Sequence, residues 1–228
     1  MIQSNGVTLV SPVEAARRLG VTPRRIYALV SEDRLRSERI GGRLLVDRDD
    51  VDARAAVGHA VGRPFSPRRA WAMLLLAAGQ DPPGIDPSTK SKLRRTLRER
   101  DIWSMRARFV QRAERRPFRA HSSDLGRIET EASVVRSGAR HAAAGGLGLV
   151  ASDAPVELYV DRKTADRLVK RYRLAPSARP NVLLRVVPDE VRRWLTDSLA
   201  PRPAIALDLA EDRDPRSQQV ARDALSRP

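Results

Sequence analysis

The stretch "SPVEAARRLGVTPRRIYALV", residues 11–30, leaves the chain little local freedom. Ser11, with Pro12 behind it and Glu14 three residues on, is a capping box with proline at the first helical position. The helix it starts places Val13, Ala16 and Leu19 on one face, and Gly20 ends it. Thr22-Pro23 starts a second helix, whose inward face is Ile26, Leu29 and Val30. Two short helices joined by a tight glycine turn make a helix-turn-helix. By subtraction, Arg24, Arg25, Tyr27 and Ala28 are left to face outward.

A hairpin follows directly. The runs "LRSERI" and "RLLVD" flank Gly41-Gly42. Two residues able to take positive φ between β-like runs fit a type I′ turn. Leu44 or Leu45, with Val46, tethers this hairpin to the core. Asp47 then caps a third helix, "DRDDVDARAA".

These residue types suit a nucleic acid. An arginine near the start of such a helix can reach guanine O6 and N7 or a phosphate. The hydroxyls of Thr22 and Tyr27 can reach phosphate oxygens, and the helix N-terminus itself attracts an anion.

The block "VSPVEAARRLGVTPRRIYALVSEDRLRSERIGGRLLVDRDDV" resembles the excisionase-like, MerR-type winged helix-turn-helix family, over residues 8–56. That resemblance implies double-stranded DNA as partner. It turns Arg24, Arg25 and Tyr27 toward the major groove. It turns Arg39 and Arg43, on the wing, toward phosphates or the minor groove. One departure stands out: the family carries glycine before the "RL" leading into the wing, and here Asp33 precedes Arg34-Leu35. Aspartate tolerates left-handed backbone better than most residues, so the turn survives and the wing's orientation is the feature in question.

Beyond this DNA-binding domain (residues 1–57), residues 58–66 read as a linker, in the stretch "GHAVGRPFSP" with its two glycines and two prolines. Residues 67–144 read as a basic helical region. Its first helix has Ser66 as N-cap, Pro67 at N1 and Gly79 as a stop. A long helical stretch from Ser88 to Arg115 follows, with a stripe of Leu93, Leu97, Ile102, Met105 and Phe109 and an interruption near Asp101. Two short helices are expected near 122–136 and 138–144. Residues 145–228 change period. "LGLVA", "VELYVD", "NVLLRVV" and "AIALDLA" read as strands, and "DRKTADRLVKRY" and "PDEVRRWLTDSL" as helices. A last helix has Asp214 as N-cap and Pro215 at N1. The expected fold class is α+β: an N-terminal winged helix-turn-helix, a central basic helical region and a small C-terminal α/β domain that binds a partner.

Charge supports an anionic partner. The net charge is +15, almost all of it from arginine. Residues 61–140 hold 18 basic and 8 acidic side chains, against 10 and 8 in residues 1–60 and 15 and 12 in residues 141–228. Lys90, Lys92, Arg94, Arg95 and Arg98 concentrate there as a second basic surface. Phosphate binding, a solvated helix face balanced by Glu99 and Asp101, and docking of an acidic protein all fit that run.

The same residues argue against other classes. With no cysteine there is no disulfide framework and no thiolate metal site. His59, His121 and His141 have no metal-ligand spacing, and no metal or cofactor is expected. There is no G-x-S-x-G elbow and no P-loop. Gly146, Gly148 and Ala151 match G-x-G-x-x-A without the following helix that dinucleotide binding needs. Asp49-Asp50 and Asp189-Glu190 sit at helix starts, where the dipole explains them. The reading is therefore non-enzymatic. No apolar run approaches 18 residues and no secretion signal opens the chain, so a cytoplasmic protein with no membrane partner is expected.

The whole chain is also similar to AbiEi-type antitoxins. The likeness rests on "KLRRTLRER", "HSSDLGRIETEASVVRSG" and the alternation "VELYVD…LVKRYRL…NVLLRVVPDEV". It implies an operon repressor whose C-terminal part neutralises a nucleotidyltransferase toxin, with the head acting as a homodimer or cooperative array. A protein-interaction adaptor, an excisionase-like DNA-bending factor and a ligand-sensing regulator are the alternatives. The long C-terminal extension weighs against the excisionase.

Overall fold

The computed structural model describes residues 2–4, 7–32, 34–57 and 63–226, and the chain divides into two compact units, Met1–Val61 and Gly62–Pro228. The fold class is α+β.

The first unit runs β1 (Ile2–Ser4), β2 (Val7–Val10), α1 (Pro12–Leu19), α2 (Pro23–Ser31), β3 (Ser37–Ile40), β4 (Arg43–Asp47) and α3 (Arg48–Val57). Its sheet is antiparallel in the order β1-β2-β4-β3. The capping signals act as the sequence expects. Ser11 Oγ accepts from the Glu14 N–H at 3.2 Å, and Gly20 closes α1 in the left-handed conformation at φ 55°. The carboxylate of Glu14 is taken by Arg18 at 3.1 Å and Arg17 at 3.5 Å, so the box is built from its serine half. Asp47 caps α3 by accepting from the Asp49 N–H at 2.8 Å. The core gathers Val10, Ala15, Ala16, Leu19, Ile26, Leu29, Leu35, Val46 and Val51. Val13 is not part of it. The buried face of α1 is Pro12, Ala15, Ala16 and Leu19, which leaves Val13 58% exposed on the far side. Asp33 and His59 lie outside the described residues.

The second unit contains α4 (Pro67–Ala77), α5 (Pro87–Glu99), α6 (Ile102–Met105), β5 (Glu114–Arg119), α7 (Leu125–Glu129), β6 (Val135–Ser137), β7 (Val156–Val160), α8 (Arg162–Arg171), β8 (Ala175–Pro176), β9 (Val182–Val186), α9 (Asp189–Trp194), α10 (Arg202–Leu209) and α11 (Pro215–Leu225). Its five-stranded sheet has the order β6-β7-β9-β5-β8, with only β7 and β9 parallel.

Several expectations give way here. The boundary between residues 144 and 145 separates no units, because β5 and β6 join β7 and β9 in one sheet. The region read as helical thus supplies two strands. The interruption at Asp101 is a real helix start: its carboxylate accepts from the Ser104 N–H at 2.6 Å. "AIALDLA" is not a strand but the core of α10, whose residues 204–209 are all buried. "LGLVA" lies outside any strand. Of the linker, residues 58–62 lie outside the described residues. Phe65 is already core, its N–H bonded to the Arg108 carbonyl at 2.8 Å.

The sheet is covered on both sides. Val156, Leu158, Val160, Val182, Leu184 and Val186 alternate toward α8. Tyr159 and Arg185, paired across the strands, point the other way, toward α10. There Arg112 donates to Asp208 at 2.6 Å and to Glu211 at 2.6 Å, and Arg185 donates to Glu157 at 2.7 Å and to Glu211 at 2.8 Å. Tyr159 donates to Asp208 at 2.7 Å and Ser137 also bonds its carboxylate. Each buried charge is met by an opposite one, as burial requires.

Candidate nucleic-acid interface

The second helix of the helix-turn-helix presents its polar face outward because its apolar face is committed. Ile26 and Leu29 are buried, and Arg24, Arg25 and Tyr27 are exposed, Tyr27 by 53%. Thr22 is the N-cap residue of α2 and its side chain makes no capping bond. Its hydroxyl can therefore meet an anion at a helix start whose first turn contains no acid.

The two arginines differ. Arg24 makes no ion pair among the described residues, whereas Arg25 is held by Glu32 at 3.3 Å. Glu32 also holds Arg34 at 3.5 Å. Burial, with the like charges of Arg34 and Arg25, pushes the Arg54 guanidinium below its ordinary value. The end of α2 thus gathers three arginines around Glu32.

The wing is positioned from its base. Arg36 donates to Asp50 at 2.8 Å and sits 2.7 Å from the buried Asp47, which pins the first wing strand to α3. Gly41 and Gly42 reverse the chain at φ 56° and 77°, a conformation that glycine adopts without strain. Leu45 and Val46 are buried and Leu44 is half-buried, so the tether is in place. Arg39 and Arg43 are exposed and make no ion pair among the described residues.

A groove of about 780 Å³ runs between α1, α2 and the wing, and Tyr27, Arg39 and Arg43 share it with Ser11, Glu14 and Arg18. The structure thus brings together Tyr27 and the two wing arginines, while Arg24 and Arg25 lie outside this concavity. Glu14 and Arg18 were not singled out from the sequence. Their four-residue spacing on α1 was the available signal.

The second basic surface is less coherent. At 100° per residue, Lys90, Lys92, Arg94, Arg95 and Arg98 spread over about 200° of α5 rather than forming a stripe. Lys90 is half-buried and bonded to Asp81 at 2.6 Å, Arg94 lies 3.9 Å from the same carboxylate, and Arg95 lies 3.7 Å from Glu99. Lys92 and Arg98 are exposed.

His121 accepts from the Ser123 N–H and His141 lies 3.3 Å from Glu129, on separate elements of the second unit. Among the described residues no group of three or more His, Asp or Glu is placed to hold a metal ion. Among them, too, no helix is long and apolar enough to cross a membrane.

Residues 9–56 match the family described as Helix-turn-helix domain. The match spans α1, α2, the wing and most of α3, and it supports a DNA-binding regulator. No curated protein and no solved structure matches the chain.

Proposed function

We propose that the protein is a bacterial transcriptional regulator that reads an operator through its first unit. α2 enters the major groove, with Arg24 and Arg25 at base edges or phosphates and Thr22 and Tyr27 at the backbone. Arg39 and Arg43 grip phosphates or the minor groove from the wing. The observation that carries this reading is the convergence of Tyr27, Arg39 and Arg43 on one groove, beside an α2 whose outward face presents Arg24 with no ion pair among the described residues.

The finer reading is an autorepressing antitoxin. Its second unit would bind a nucleotidyltransferase-type toxin and perform no catalysis, and its head would act as a dimer on two half-sites. The similarity to AbiEi-type antitoxins supports it, as does the joining of a small helix-turn-helix unit to a second unit of much greater length.

A gel shift on the DNA upstream of the protein's own gene tests the first reading. The variant Arg24→Ala/Arg25→Ala should lose that shift, and binding equal to wild type would refute the assigned recognition helix. Co-purification with the product of the adjacent gene tests the second: failure to recover a nucleotidyltransferase refutes the antitoxin assignment alone.

A further inference from the structure

The second unit carries a group of arginines that its own carboxylates do not neutralise. Phe65 lies in the core, and two guanidinium groups flank its ring: Arg108 at 4.0 Å from the centroid and Arg69 at 5.2 Å. Cation–π contact of this kind orients a guanidinium without cancelling its charge. Arg108 is further fixed by donating its Nε to the Arg63 carbonyl at 3.2 Å. Burial, then the like charges of Arg69 and of Arg100, the residue after α5, push the Arg108 guanidinium below its ordinary value. Among the described residues none of Arg69, Arg100 and Arg108 makes an ion pair with a carboxylate. Neighbouring arginines behave otherwise: Arg68 is paired with Glu190 and Arg112 with Asp208.

The placement of Arg69 adds a second argument. It sits in the first turn of α4, which contains no acidic residue. A helix N-terminus favours anions and disfavours cations. Arg69 there shares the Phe65 ring with Arg108, so one anion can meet both guanidinium groups and the helix start together.

We infer that Arg69, Arg100 and Arg108 form a second phosphate-binding surface for nucleic acid, distinct from the α5 run. The inference deepens the DNA-binding reading of the chain and rests on it for the identity of the anion. Only the five residues 58–62 separate Val57, the end of α3, from Arg63 in the sequence. A surface tethered so closely to a DNA-binding head converts weak phosphate binding into an intramolecular event and raises affinity for any sequence. It adds no base readout, because phosphate contacts position without specifying.

The test is fluorescence anisotropy of the full chain on a labelled duplex of arbitrary sequence, titrated with salt. Arg69→Gln/Arg100→Gln is measured in the wild-type and in the Arg24→Ala/Arg25→Ala backgrounds. Both side chains are exposed, so folding is preserved. The slope of log K against log salt should fall by about 0.9 for each phosphate no longer neutralised, and affinity should fall several-fold in both backgrounds. Arg108→Gln should act in the same direction, with a tryptophan-fluorescence melt to separate weaker binding from weaker packing on Phe65. An unchanged slope and affinity in Arg69→Gln/Arg100→Gln overturns the proposal. So does poly-L-glutamate that displaces the duplex at equal charge, which would mark the surface as a dock for an acidic protein. If the head variant binds as wild type does while Arg69→Gln/Arg100→Gln does not, the recognition helix fails and this surface stands.

Discussion

Arg39 and Arg43 stand on opposite faces of the wing, since Arg39 pairs across the hairpin with Leu44 and Arg43 pairs with Ile40. The Leu44 face also carries Val46, which is buried against the helices. Arg39 therefore shares the face that packs on the helices, and Arg43, on the other face beside the turn, lines the end of the same groove. Arg39→Ala should weaken duplex binding roughly tenfold, the scale of removing one hydrogen bond to a charged group. Arg43→Ala should weaken it less. Both changes are at exposed sites and should leave the melting temperature nearly unchanged. Anisotropy on the upstream operator separates the two, and wild-type affinity in Arg43→Ala would remove the wing tip from the mechanism.

Glu32 restrains the recognition helix. It pairs with Arg25 and Arg34 at distances of 3.3 and 3.5 Å, with all three side chains well exposed. Exposed pairs contribute at most about 1 kcal/mol, so the fold gives up little when they break. Glu32→Gln releases both arginines and removes a negative charge from the C-terminal end of α2. Duplex affinity should rise up to about fivefold, and Arg25→Ala in the same chain should cancel most of that gain.

The first unit was legible in the sequence because its signals are local. Ser11, Gly20, Gly41-Gly42 and Asp47 each act within a few residues, through caps and turns. The second unit is decided by long-range packing, and there local pattern misleads in places. α10 is buried on all sides over residues 204–209 and mostly apolar there, so its pattern fits a strand as well as a helix. The overlooked signal was Pro203, in the first turn, where proline suits a helix. β5 is disguised by its arginines and by Pro117, and it is a strand because β9 pairs along most of its length. The arginine group around Phe65 draws on residues from 65 to 108 and has no local signature.

The wing turn depends on its glycines for backbone conformation and not for space. No atom lies within 4 Å of where a Cβ would stand at Gly41 or Gly42. Gly42→Val, at φ 77°, should still cost about 1–2 kcal/mol, since a β-branched residue resists the left-handed region. Gly41→Asn should be nearly neutral, because asparagine tolerates that region. Urea denaturation followed by circular dichroism checks both. A neutral Gly42→Val would mean that the hairpin does not need a type I′ turn.

The buried charges of the second unit set its acid sensitivity. Burial opposes ionisation of Glu211, but the guanidinium groups of Arg112, Arg185 and Arg115 outweigh it and hold the carboxyl well below the usual carboxylate range. A carboxyl depressed in the folded state stabilises the fold above its unfolded value, near 4.3, and that stability is lost as pH falls through the folded value. Glu157 works in the opposite sense. Burial raises it despite its bonds to Arg185, so its contribution is lost as pH rises through its folded value. Among the buried carboxylates of this unit Glu211 thus drives acid unfolding, with the exposed Asp86 and Glu114, also held below their ordinary values, as lesser contributors. Trp71, Trp103 and Trp194 all lie in the second unit, so tryptophan fluorescence reports on it alone. Glu211→Gln should lower stability at neutral pH, by about 3–5 kcal/mol if Arg112 and Arg185 lose their shared partner outright. It should also flatten the dependence of stability on pH below about 4. A variant that keeps the wild-type acid limb would assign that limb to other carboxylates.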